Sequence, residues 1–181
     1  MPLRALETRA MQEAEAHWES AQEGAELLRE GEREQAIELL TALLVQEPRN
    51  EYAYFFLGSA YYELEQYDRA LKCYVEALSI APAYVGAMVH AGHSLRMLGR
   101  YRDAVRMAHQ VLARAPHDPD AFFLIGACSF AVGDDAKAKD YLERFLHTNP
   151  ELEVATEVQG MLQVIMARDP SQSLTDDDDD N

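Results

Sequence analysis

The chain has 181 residues, a formal net charge of -16 and 48% apolar residues. That is enough apolar material for one sizeable core or a row of small stacked units, while the negative surplus argues against nucleic acid or an anionic membrane as partner. No apolar stretch reaches membrane-spanning length, and the charged N-terminus MPLRALETRAMQEAEAHW has no apolar signal core, so a cytoplasmic protein is expected.

Apolar residues recur at helical spacing nearly everywhere and long strand-like alternations are absent, which predicts an all-α chain. Residues 1–16 are charged and poor in apolar side chains, and are read as an N-terminal helical extension. Helix pairs are predicted at 17–30 with 33–46, 51–64 with 67–80, 85–98 with 101–114, and 119–132 with 135–147. A single helix follows at 151–168, and then a tail at 169–181 that carries Asp176–Asp180 and is expected to be a disordered, solubilising end.

The pairs repeat. Gly24, Gly58, Gly92 and Gly126 are each 34 residues apart, as are Ala36, Ala70, Ala104 and Ala138, and as are Pro48, Pro82, Pro116 and Pro150. The glycine lets a neighbouring helix approach closely, the alanine does the same in the second helix, and the proline ends that helix. Gly31, Gly99 and Gly133 mark the turn inside three units, with Glu65 at that place in the second. Asp118 before Pro119 reads as an N-cap and first helical position.

This pattern resembles the tetratricopeptide repeat family, whose units carry W-x2-L-G-x2-Y, then A-x3-F, then P. The best copy has Tyr54, Leu57, Gly58, Tyr61, Ala70, Tyr74, Ala77 and Pro82. Looser copies put Ser20 and Glu23, then Met88, Ala91, Leu95 and Ala108, then Phe122, Ile125, Ser129 and Leu142 at matching places. The resemblance implies a right-handed superhelical solenoid of four repeats, 17–50, 51–84, 85–118 and 119–152, with the first helix of each pair lining a concave groove. Gly160 continues the ladder into the last helix, where Thr156, Gln159 and Gln163 take the places of Trp, Leu and Tyr. That helix is therefore expected to be a solvating cap, with Val154, Ala155, Val158, Leu162 and Ile165 covering the fourth pair.

The stretch YAYFFLGSAYYEL, residues 52–64, carries rings on both sides of one helix. Tyr54, Leu57, Gly58 and Tyr61 share the repeat's core face, leaving Tyr52, Phe55, Phe56, Ser59 and Tyr62 opposite. In the family that opposite face belongs to the groove. Matching places are Trp18, Ala21, Gln22, Ala25 and Leu28 in the first unit, Val89, His90, His93 and Arg96 in the third, and Phe123, Leu124, Ala127 and Phe130 in the fourth. Several large apolar side chains in one concavity predict a partner surface, with Tyr52, Phe55, Phe56, Tyr62, Phe123 and Phe130 as anchors. The competing reading is that the rings, or the chain's own ends, bury each other.

Some relatives grip the acidic C-terminus of heat-shock chaperones with Lys, Asn and Arg in the groove. Here those places hold Ala25, Ser59, Phe55, Val89, Gly86 and His90, so no such clamp is expected. FFLG (55–58) and FFLIGAC (122–128) are similar to segments of the translocator chaperones of bacterial type III secretion, a group with three repeats where this chain has four.

Other chemistry is sparse. His90 and His93 have a metal-compatible spacing, but only Glu63 and Tyr62 stand near as third ligands, so no metal or other cofactor is expected and a polar, pH-sensitive contact to a partner is preferred. Arg96, Arg100, Arg102 and Arg106 form a basic cluster that reads as solvated, as a site for an acidic partner, or as a landing place for Asp176–Asp180. Cys73 and Cys128 read as reduced, partly buried thiols. No nucleophile–base pair or phosphate loop is found, so no enzymatic activity is expected. The expected role is a non-enzymatic module that takes an apolar or amphipathic segment of another protein. The alternatives are a chaperone for a secreted or assembly-pathway client and a homodimer formed through the same rings.

Overall fold

The computed structural model describes residues 3–168, and the acidic run Asp176–Asp180 lies outside them. Among the described residues there are nine helices and no strand, an all-α repeat fold. They are α1 (Leu3–Arg29), α2 (Arg33–Gln46), α3 (Glu51–Glu63), α4 (Tyr67–Ile80), α5 (Val85–Met97), α6 (Tyr101–Leu112), α7 (Pro119–Ala131), α8 (Asp135–Leu146) and α9 (Leu152–Arg168). The bounds from α2 onward lie within two residues of the sequence expectation. The helical extension expected at 1–16 and the helix expected at 17–30 run together as one helix, α1, from Leu3.

Local chemistry sets the ends. Asn50 and Asp118 accept hydrogen bonds from the backbone N–H of Ala53 and Ala121, both at 2.9 Å, and so cap α3 and α7. The turn within each pair closes the same way four times. The N–H groups of Glu32, Gln66, Arg100 and Asp134 bond the carbonyls of Leu27, Tyr61, Leu95 and Ser129 at 2.8, 2.8, 2.9 and 2.9 Å. This six-to-one bond needs a left-handed residue just before it. Gly31, Gly99 and Gly133 supply it with φ of 84°, 70° and 77°, and Glu65 adopts 58° in their stead.

Packing follows the ladders. Ala36, Ala70, Ala104 and Ala138 are wholly buried. A Cβ at Gly24, Gly58 or Gly126 would meet Leu40, Tyr74 or Leu142 at 2.5, 2.7 or 2.7 Å, so the second helix of the pair sits where a side chain would be.

Residues up to Arg100 form one compact unit and residues from Tyr101 on form another. In the first, α1 to α5 pack in sequence, and α1 with α3 and α3 with α5 also touch directly. In the second, α6 to α9 pack in sequence. Its core joins Phe122, Phe123, Leu142, Phe145, Val158 and Ile165, with Val154, Met161 and Leu162 packed against it. Thr156, Gln159 and Gln163 of α9 are exposed, and a Cβ on Gly160 would meet nothing within 4 Å. The exposed side of α9 thus carries Thr156, Gln159 and Gln163 together with Val164 and Met166, and no helix lies against Gly160 among the described residues.

Candidate partner-binding face

Direct contact of α1, α3 and α5 puts three of the predicted stripes side by side in the first unit. Their rings form a chain of contacts. Trp18 of α1 meets Tyr52 edge-on at 5.3 Å and Phe56 at 5.7 Å. Phe56 meets Phe55 at 5.3 Å, and Phe55 meets His90 of α5 edge-to-face at 5.1 Å. Tyr52, Phe55, Phe56 and Tyr62 are half-buried, and Trp18 keeps 44% of its surface exposed. Mutual packing therefore covers part of each ring and leaves the rest to solvent. Edge-on contacts of this kind hold the array in fixed geometry.

Two residues outside the predicted stripes join this face. Tyr84, in the turn before α5, meets Tyr52 at 5.5 Å and Phe55 at 5.1 Å. Tyr74 of α4 is wholly buried as the repeat pattern requires, yet its ring meets Phe55 at 5.8 Å and His90 at 5.5 Å. Its hydroxyl donates to Ser59 Oγ at 3.3 Å and lies 3.5 Å from His90 Nδ1. Ser59 in turn donates to the Phe55 carbonyl at 3.2 Å. A polar thread thus runs beneath the rings. The signal was the choice of Tyr over Phe at position 74, since a buried hydroxyl needs a partner.

Burial raises the phenol pKa of Tyr74, Tyr84 and Tyr62, Arg96 partly opposing it at Tyr62. Burial lowers the pKa of His90, and burial with Arg96 and His90 as neighbours lowers that of His93 to about 4. Both imidazoles are therefore neutral at pH 7. Glu63, weighed as a third metal ligand, pairs with Arg33 at 2.7 Å, and Tyr62 packs on Tyr67 at 5.2 Å. Among the described residues no group of three His, Cys, Asp or Glu side chains gathers to hold a metal.

The fourth stripe differs. Leu124 is 0%, Ala127 6% and Phe123 8% exposed. Phe123 packs on Phe145 at 5.4 Å within the second unit's core. Phe130 is half-buried and lies beneath the Arg168 guanidinium of α9 at 5.2 Å, where Arg168 also bonds Asp135 at 3.1 Å. Helix α7 is buried without a break from Ala121 to Ser129, so its wheel has no open apolar side. Phe123, Leu124 and Ala127 are core side chains rather than surface anchors. Val89, 7% exposed on α5, is buried likewise.

Of the basic cluster, Arg96 and Arg100 belong to the first unit and Arg102 and Arg106 to the second, where Arg106 pairs with Asp103 one helical turn away. Cys73 and Cys128 are free thiols, and burial pushes Cys73 up to about 11. No helix among the described residues is long and apolar enough to cross a membrane.

Comparison with known proteins agrees with this architecture. The chain is 26% identical over 138 residues to human Superkiller complex protein 3, covering 72% of this chain and 9% of that protein. It spans about a tenth of the length of such curated relatives. Its fold is similar to that of MamA from Desulfovibrio magneticus RS-1, with a TM-score of 0.67 at 21% identity over 88% of this chain and 96% of that one. It is also similar to the second tetratricopeptide domain of human RPAP3, solved in complex with the HSP70 peptide SGPTIEEVD, with a TM-score of 0.59 at 22% identity over 64% of this chain and 98% of that one. Residues 51–84 and 95–165, together more than half of the sequence, match descriptions of the tetratricopeptide repeat, and the chain belongs to that family.

Proposed function

We propose that the α1–α3–α5 face is a non-enzymatic docking site for an amphipathic segment of another protein, with Trp18, Tyr52, Phe55 and Phe56 as anchors. Tetratricopeptide repeats are protein–protein interaction modules, and the RPAP3 domain of similar fold is solved with a peptide. The observation that carries the reading is the continuous run from Trp18 through Phe56 and Phe55 to His90, held rigid yet half-open. Rings fixed in this way lose little further entropy on binding. Charge selects the flanks: the chain carries -16, and Glu15 and Glu19 stand exposed beside Trp18. The favoured segment has apolar residues on one side and basic residues at its ends.

Trp18 is the sole tryptophan and reports on its own site. Synthetic peptides of about 15 residues, with Leu and Phe at helical spacing and either Lys or Glu flanks, are titrated against the full chain. The Lys-flanked peptide should shift Trp18 emission with a micromolar Kd, and Phe56→Ala should weaken it at least tenfold while the circular dichroism spectrum stays unchanged. The peptide SGPTIEEVD should not bind, because Ala25, Ser59, Val89 and His90 stand where a cationic clamp would be. Equal binding of both flank types, or none, overturns the reading. Self-association on concentration, abolished by Phe56→Ala, would assign the face to a second copy of this chain instead.

A further inference from the structure

The polar thread beneath the rings has one open end. Tyr74 has a single hydroxyl proton, and the shorter contact directs it to Ser59 Oγ at 3.3 Å. Ser59 passes its own proton to the Phe55 carbonyl at 3.2 Å. The 3.5 Å approach of His90 Nδ1 to the Tyr74 oxygen is then satisfied only if Nδ1 carries the hydrogen. Edge-to-face packing on Phe55 at 5.1 Å and contact with Tyr74 at 5.5 Å hold the imidazole in that orientation. In this tautomer Nε2 is a bare acceptor. No hydrogen bond from Nε2 to a described residue is present, and His90 is partly exposed amid the aromatic array. Burial favours the neutral ring, so the acceptor persists through neutral pH.

We infer that His90 is a specificity residue that reads one neutral hydrogen-bond donor, such as a Ser, Thr, Asn or Gln side chain, set within the otherwise apolar face of the docked segment. The inference rests on the docking reading above and sharpens it. A purely apolar segment would cover Nε2 and strip it of water without replacing the bond, so it would bind about tenfold more weakly than one that carries the donor. An acceptor in the same place would face lone pair to lone pair. The opposite tautomer, with Tyr74 donating to Nδ1 and a hydrogen on Nε2, would select acceptors and is the competitor to eliminate.

The test uses the full chain and the Lys-flanked peptide, with one serine walked through its apolar positions. At one position serine should bind about tenfold tighter than α-aminobutyrate, and O-methylserine, which keeps the oxygen and loses the donor, should fall to the α-aminobutyrate level. In His90→Phe, which keeps a ring against Phe55, the preference should vanish and the apolar peptide should bind as well as serine or better. Retained preference in His90→Phe, or equal binding of serine and O-methylserine to the parent chain, overturns the inference and leaves docking intact. Absence of any peptide-induced Trp18 shift overturns docking and the inference together.

Discussion

A Cβ on residue 58 would lie 2.7 Å from Cε1 of Tyr74, whose ring is wholly buried. The glycine is therefore a notch cut for the facing helix. Gly160 stands at the same place of the ladder and would meet nothing within 4 Å. Opposite outcomes follow for one chemical change. Gly58→Ala should destabilise by about 1–3 kcal/mol through overpacking. Gly160→Ala should stabilise by about 0.5–1 kcal/mol through helix propensity alone. Urea unfolding midpoints of the two variants, compared with the parent chain, check both signs.

Glu65 holds φ at 58° where three sibling turns use glycine. A left-handed side chain costs about 1–2 kcal/mol, partly offset because glycine loses more freedom on folding. Glu65→Gly should raise stability by about 0.5–1 kcal/mol, and Gly133→Ala should lower it by about 1 kcal/mol. Thermal melts of the two variants give the comparison.

Asn50 does more than cap α3. Its amide nitrogen shares two hydrogens among the His17 carbonyl at 3.0 Å, Ser20 Oγ at 2.9 Å and Glu47 Oε2 at 2.8 Å, and the side chain is wholly buried. Asp118 caps α7 with a bond of 2.9 Å from Ala121 N–H and is only half-buried. Asn50→Ala should cost about 2–3 kcal/mol, since it orphans several partners, against about 1 kcal/mol for Asp118→Ala. The same change exposes Glu47, whose pKa is held low chiefly by the bond from Asn50.

Acid should loosen the first unit through His93. Its folded pKa is about 4 against an ordinary 6.5, so the folded state resists protonation that the unfolded chain accepts. Stability from this source is complete above pH 6.5 and is lost as pH falls towards 4, amounting to at most about 3 kcal/mol. His93→Gln should flatten the stability profile between pH 7 and 4. An unchanged acid limb in that variant would assign the loss to other groups.

Most of the fold was legible because three ladders at one spacing leave no freedom in where helices turn. Gly31, Gly99 and Gly133 set identical closures, and even the substitution at Glu65 kept the bond from Gln66 to Tyr61. The face was legible only in part. A helical wheel gives the direction in which Phe123 and Leu124 leave their helix, but not what stands opposite. Both are buried, with Phe145 against Phe123. Phe130 is read from the wheel as an open groove anchor, but the cover supplied by Arg168 comes from 38 positions further along the chain and has no local signature. Tyr74 and Tyr84 were missed for the converse reason: they come from a second helix and a turn, outside the one helix face under consideration.

The vacancy beside Gly160 has a counterpart in the sequence. Gly24, Gly58 and Gly126 each find their knob sixteen positions later, in Leu40, Tyr74 and Leu142, whereas sixteen beyond Gly160 stands Asp176, the first of five aspartates. The three filled notches thus mark where one helix of a pair seats against the other, and the open fourth marks a helix that carries no such seat among the described residues.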